Sequence, residues 1–167
     1  MGDRTSVSLT IHADDLDLFK RVISAGGTSV YPDELDHPDS IFPKGDDFLR
    51  FYLDDVNYGE LSIQEICTKY GIPYEYDWSP GAEYSDGVES LKFKDGKAEC
   101  VRYDYSQMHL STKDVFSLLK DAEQDPVPYN YVKDKLLNYA RTFTFLPWDN
   151  QHAEKAKYRL HQLLKGE

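Results

Sequence analysis

The residues best placed to do chemistry lie in one stretch, YEYDWSPGAEYSDG, residues 74–87. Glu75, Asp77, Glu83 and Asp86 are threaded there between Tyr74, Tyr76, Trp78 and Tyr84, and Glu89 follows just beyond. No lysine or arginine interrupts the run. Four chemistries use such residues. Paired carboxylates do acid–base work, as in glycoside hydrolysis. Carboxylates in a loop hold a cation. Exposed aromatic rings stack on sugars. A carboxylate-rich surface imitates a polyanion. Glycoside chemistry needs a deep cleft, and about 105 residues of mixed structure leave little room for one.

The remaining candidates are sparser. No Walker A or GxGxxG pattern is present, and the two glycines of SAGGTS follow a helix, the wrong end for an anion. The histidines are His12, His37, His109, His152 and His161; none forms HExxH or pairs with a cysteine at finger spacing. Asp36, His37 and Asp39 sit close together but read as a solvated acidic loop. Cys67 falls in a helix beside Ile66 and on the apolar spacing of Ile63, which suits a core thiol. His12 closes a strand next to Asp14 and Asp15, a place where an active-site histidine can sit, though a histidine beside carboxylates is usually just hydrogen-bonded. No catalytic residue, metal ligand or cofactor is assigned on these grounds.

The electrostatic reading carries more. The 167-residue chain has a net charge of −11, and residues 1–105 hold 22 acids against 10 bases, a net of −12. Asp33, Glu34, Asp36, Asp39, Asp46, Asp47, Asp54 and Asp55 face only Lys44 and Arg50 in their own segment. Such self-repulsion costs stability and disfavours contact with nucleic acid or a membrane surface. A partner rich in arginine and lysine accounts for it, and tyrosine suits such an interface. Plain solubility is the competing account. No apolar run approaches the roughly 18 residues of a membrane span, and no signal peptide is read at the N-terminus, which together imply a cytoplasmic protein. Two widely spaced cysteines, Cys67 and Cys100, fit reduced thiols.

These residues need elements to position them. Val7, Leu9 and Ile11 alternate as a strand, and Leu16, Phe19, Val22 and Ile23 follow at helical spacing, stopped by Gly26-Gly27. A short strand near 29–31, a strand over 47–57 and a helix from Ser62, with Glu65 completing a capping box and Gly71 a stop, come next. IPYEYDW is extended. Residues 87–105 form a hairpin about Asp95-Gly96, with Phe93 opposite Ala98, Leu91 opposite Cys100, Glu89 opposite Arg102, Lys92 opposite Glu99 and Val88 opposite Tyr103. Three helices follow: one over 112–122 capped by Ser111, one opened by Asp125-Pro126, and one capped by Asp149. The order predicts an α+β fold, a ferredoxin-like antiparallel sheet with helices on one face. Residues 1–105 form an acidic sandwich and residues 106–167 a helical extension packed on it.

The segments Asn57-Tyr58-Gly59-Glu60, Gly71-Ile72-Pro73-Tyr74, the Trp78-x-x-Gly81-x-Glu83-Tyr84 pattern and LPWDNQ near the C-terminus resemble small acidic hypothetical proteins of phages, plasmids and integrated elements. The likeness runs from Asn57 onward, with a matching β-α start. It implies an anti-CRISPR or anti-restriction type of inhibitor, some of which mimic DNA, and carries over no catalytic residue.

The sequence therefore predicts a non-enzymatic protein that occupies a basic, nucleic-acid-binding surface of a host defence complex. Glu75, Tyr76, Asp77, Trp78, Glu83, Tyr84, Asp86, Asp54, Asp55, Tyr58 and Glu60 are its expected contact residues. The alternatives are an immunity-type protein neutralising a basic toxin or nuclease, and a small enzyme using His12 or Cys67. Self-association through Tyr139, Phe143, Phe145 and Trp148 is a further expectation.

Overall fold

The computed structural model describes residues 3–38, 40–41, 48–108, 111–142, 148 and 151–165. In chain order these give β1 (Arg4–His12), α1 (Leu16–Ile23), β2 (Ser40–Ile41), β3 (Phe48–Asn57), α2 (Gln64–Tyr70), β4 (Tyr74–Trp78), β5 (Gly87–Lys94), β6 (Lys97–Asp104), α3 (Thr112–Ala122), α4 (Pro128–Thr142) and α5 (Gln151–Lys165). Single 3-10 turns lie at Ala13–Asp15, Pro32–Leu35 and Tyr105–Met108. The fold is α+β. Its six strands pair antiparallel throughout, in the order β2-β3-β1-β4-β5-β6.

Strand alternation builds the core. Val7, Leu9 and Ile11 of β1 are fully buried on one face, between Leu53 and Phe51 of β3 and Trp78, Tyr76 and Tyr74 of β4. Phe19, Val22 and Ile23 of α1, Cys67 of α2 and Tyr158 of α5 cover the same face and complete one hydrophobic cluster. Helices on one side of an antiparallel sheet are thus as expected from the sequence.

The ferredoxin-like strand arrangement is not what the pairing gives. In that arrangement the strand after the first helix runs parallel to β1, with another strand between them. Here β3 pairs with β1 directly and antiparallel, Leu9 opposite Phe51. The long connection after α1 returns the chain to the end of β1 from which it left, so β3 enters head-on. A hydrophobic pattern carries face but not direction, and does not distinguish the two.

Local chemistry explains most ends. The hairpin turn has φ of 51° at Asp95 and 73° at Gly96, the left-handed pair of a type I′ turn, and all five predicted β5–β6 partners are in register. Gly71 closes α2 with φ of 64°, its amide bonded back to Thr68. Ser111 accepts the Asp114 amide and caps α3. Three expectations fail. Ser62 takes φ of 54° and leaves Ile63 at the start of α2 with no side-chain cap, so the predicted capping box does not form. Residues 29–31 form no strand; the Ser29 amide bonds to the Leu61 carbonyl. α4 begins at Pro128, and Asp125 instead accepts the Val127 amide at 2.8 Å. Asp149 lies outside the described residues.

The C-terminal helices divide in two. α3 and α4 pack on each other as a helical hairpin, leaving Phe116 and Leu119 exposed. α5 belongs to the main core. The Gln151 side chain accepts the Phe93 amide at 2.8 Å and donates to the Phe93 carbonyl at 3.1 Å. It thereby replaces a strand partner, because Ile72, which the β4 register would set opposite Phe93, bonds its amide to the Cys67 carbonyl at 2.9 Å instead.

One turn further along α5, Lys155 reaches Asp15, a carboxylate 2 % exposed, at 2.7 Å, and Arg159 reaches it at 3.0 Å. Arg159 also donates to the carbonyls of Tyr70 and Gly71, each at 3.0 Å. Asp15→Asn removes the only anion from this cluster. It is expected to lower the unfolding free energy by about 3–5 kcal/mol in denaturant titrations. A loss below about 1 kcal/mol would show that α5 is held by its other contacts and not by the Asp15 charge.

Candidate functional site: the outer sheet face and the cleft behind it

β4 sorts the acidic aromatic run by alternation. Tyr74, Tyr76 and Trp78 point to the helices and are buried, whereas Glu75 and Asp77 point to the opposite, outer face. There Asp77 lies in the row Tyr52–Ser8–Asp77–Val88–Tyr103, and Glu75 in the row Arg50–Thr10–Glu75–Ser90–Val101. Asp54 of β3 joins them and accepts the Ser6 hydroxyl at 2.8 Å. Tyr52, 58 % exposed, stands at one end of the Asp77 row and Tyr103 at the other.

The carboxylates differ in environment. Burial raises the pKa of Asp77; Arg50 opposes the shift and Glu75 adds to it. Glu75, one-third exposed, meets the Lys92 ammonium at 3.3 Å. Lys92 is almost fully buried, with its nitrogen 3.2 Å from the centroid of the Trp148 ring. Burial pushes its pKa down to about 8, with Glu75 resisting.

The eleven predicted contact residues therefore do not form one surface. Asp54, Glu75 and Asp77 share the outer face. Tyr76 and Trp78 are core residues; the Trp78 indole donates to the Ser85 carbonyl at 2.9 Å and carries the Arg102 guanidinium 4.5 Å above its ring. The two-residue period of a strand puts neighbours on opposite faces, so interleaved acids and aromatics cannot act together on a strand. Asp55, Tyr58, Glu83, Tyr84 and Asp86 gather at the sheet end. Asp55 pairs with Arg4 at 2.8 Å, and the Glu83 amide donates to Asp3 at 3.3 Å. Tyr58 is 43 % exposed and meets Tyr84 edge-on, while Tyr84 is partly buried against the core. Glu60 lies on the other side of the sheet, at a cleft. Of the second acidic group, Asp36 is paired with Lys20 at 2.6 Å, and Asp39, Asp46 and Asp47 lie outside the described residues.

That cleft, about 1280 Å³, opens between α2 and α5, with Tyr76 and Glu89 among its lining residues. Glu89 is 6 % exposed and accepts the Tyr74 hydroxyl at 2.6 Å and Arg102 at 3.1 Å. Burial and the Glu89 charge hold both the Tyr74 and Tyr76 hydroxyls protonated far above the usual tyrosine range. The Gln162 side-chain oxygen, at the cleft wall, is buried with no hydrogen-bond partner among the described residues. Sequence register foretold the Glu89–Arg102 pair but not its place beneath a cleft, because α5 arrives from 60 residues downstream.

The small-enzyme candidates fare differently. Cys67 is fully buried, and burial pushes its thiol pKa well up, so it offers no thiolate. His12 lies at the end of β1, where Asp14 and His152 approach it. Of the expected self-association residues, Tyr139 donates to the Gln107 carbonyl, Trp148 packs on Phe48, and Phe143 and Phe145 lie outside the described residues.

Against known proteins the outcome is brief. No family model, curated protein or solved structure matches this chain. Among the described residues, no helix is long and apolar enough to cross a membrane.

Lys92 supplies a test of the outer face. Folded, it releases its proton near pH 8, against 10.5 for an unperturbed lysine. Between those values the unfolded chain binds more protons, so stability rises with pH there, by roughly 3 kcal/mol at most. Tyr74 and Tyr76 act oppositely above about pH 10, where unfolded tyrosines ionise first. Lys92→Met is expected to raise the melting temperature at pH 7 and to abolish the rise in stability between about pH 8 and 9.5. Differential scanning calorimetry across that range reads both effects.

Proposed function

We propose that the protein is a non-enzymatic binding protein whose outer sheet face engages a basic, nucleic-acid-binding protein, with carboxylates standing in for phosphates. One observation supports this above others. Alternation turns Glu75 and Asp77 away from the core helices and brings them onto the same face as Asp54, beside exposed Tyr52. The first 105 residues, which supply that face, carry a net charge of −12, 22 acids against 10 bases. The sequence resemblance to mobile-element proteins directs the choice of target to a host defence component. A toxin or nuclease neutralised by an immunity-type protein uses the same electrostatics, and the identity of the captured partner separates the two.

The test is capture from a host bacterial lysate at low and high salt, with identification by mass spectrometry and competition by duplex DNA. The expected partner is a nucleic-acid-binding protein that salt and DNA both displace. Asp54→Lys with Tyr52→Ala, two exposed positions, should weaken binding by about tenfold or more. Asp17→Lys on α1 should not. Capture that ignores salt, DNA and the double substitution sinks the proposal.

The cleft between α2 and α5 favours a second reading, a small-molecule site over Tyr76 and Glu89. Thermal stabilisation by a metabolite panel, lost in Gln162→Leu, supports it; no stabilisation by any compound counts against it.

A further inference from the structure

We propose that His12, Asp14 and His152 form a site for a divalent transition-metal ion of the zinc class. His12 ends β1, Asp14 lies two residues on in the 3-10 turn, and His152 is the second residue of α5. The Asp14 carboxylate oxygen Oδ2 lies 3.7 Å from His12 Nδ1 and 3.5 Å from His152 Nδ1. All three ligand atoms lie within 4.8 Å of one another. A tetrahedral ion bound at about 2.0–2.1 Å to each ligand sets neighbouring ligand atoms about 3.3–3.4 Å apart. The two measured separations exceed that by a few tenths of an ångström, which small side-chain rotations close.

Three features prepare the site. His12 Nδ1 accepts the Asp14 backbone amide at 3.3 Å, a long bond that turns this nitrogen toward Asp14 and that a bound ion displaces. The His12 ring is 14 % exposed and meets Phe48 edge-on at 5.3 Å, which fixes its plane. The backbones of the ligands are held together from behind, since Asp15 follows Asp14 and is clamped to Lys155, one turn from His152. Asp14 and His152 are solvent-exposed, so an ion can enter, and a fourth position is left for water. Two imidazoles and a carboxylate select zinc, nickel or copper over magnesium. The N-terminus of α5 disfavours a cation at His152, and Asp14 is the one anionic ligand, which together place the affinity in the micromolar range. A bound ion joins β1 to α5, so it stabilises the fold. Its ligand His12 meets Phe48, which packs at a tilt on Trp148 with ring centroids 4.5 Å apart and so links the site to an optical reporter.

The experiment uses tag-free, chelator-washed protein titrated with zinc, nickel and magnesium chlorides by calorimetry, with Trp148 fluorescence and melting temperature followed in parallel. One equivalent of zinc and of nickel should bind with micromolar affinity and raise the melting temperature, and magnesium should do neither. His152→Ala and Asp14→Asn, both at exposed positions, should each weaken binding by about tenfold or more without changing the circular dichroism of the metal-free protein. His161→Ala should bind as the parent does. Absence of one-to-one zinc binding, or binding that survives both His152→Ala and Asp14→Asn, overturns the assignment.

Discussion

One buried carboxylate holds the parts of this molecule together. Asp15 sits at the corner between β1 and α1 and takes Lys155 and Arg159 from α5, while Arg159 spends its remaining donors on the last carbonyls of α2. Three segments, separated by up to 144 residues, meet at a single charge. Isolated, such a group is costly to bury; paired and hydrogen-bonded, it is tolerated and specifies one arrangement over others. With α5 placed this way, Gln151 completes the backbone bonding of β5 and His152 comes beside His12. The cleft against α2 gains its second wall, with Tyr158, Arg159 and Gln162 along it.

The sheet converts a mixed acidic aromatic sequence into two separate surfaces. Its inner side carries Tyr74, Tyr76 and Trp78, whose rings succeed one another along β4 at centroid spacings of 5.9 and 5.8 Å. Its outer side carries Glu75 and Asp77. The charge on that side is tempered by Lys92 and Arg50 of the same face, and Asp54 adds a third carboxylate from β3. On the inner side, one acid, Glu89, is instead enclosed by Tyr74 and Arg102, and serves as a polar floor rather than a surface charge. Acids of similar appearance in the sequence thus take two distinct roles, set by which face of which strand they occupy.

The candidate site was legible only in part. Glu75, Asp77 and Asp54 could be named as candidate surface acids, and they do share the outer face, but only Asp54 is exposed, while Glu75 and Asp77 are half-buried. Tyr76 and Trp78 were separable from them, because the extended run YEYDW alternates and so puts its aromatic residues on one face and its acids on the other. The sheet-end residues Asp55 and Glu83 found local partners, Arg4 and the Asp3 carboxylate, that lie some 51 and 80 positions away. The metal-binding geometry at His12 escaped a search by ligand spacing altogether, since His152 arrives from the opposite end of the chain.

What the amino-acid sequence by itself determined is local. It set the helix stop at Gly71, the type I′ turn at Asp95-Gly96 and the register of β5 against β6, because short-range sterics and adjacent cross-strand pairs settle these within a few residues. It set the inward face of β1 through strict alternation. Only the tertiary structure decided the order of the strands, the antiparallel entry of β3 beside β1, and the docking of α5. Those depend on long-range contacts, the Asp15 cluster above all, and on closure of loops whose direction no local pattern encodes.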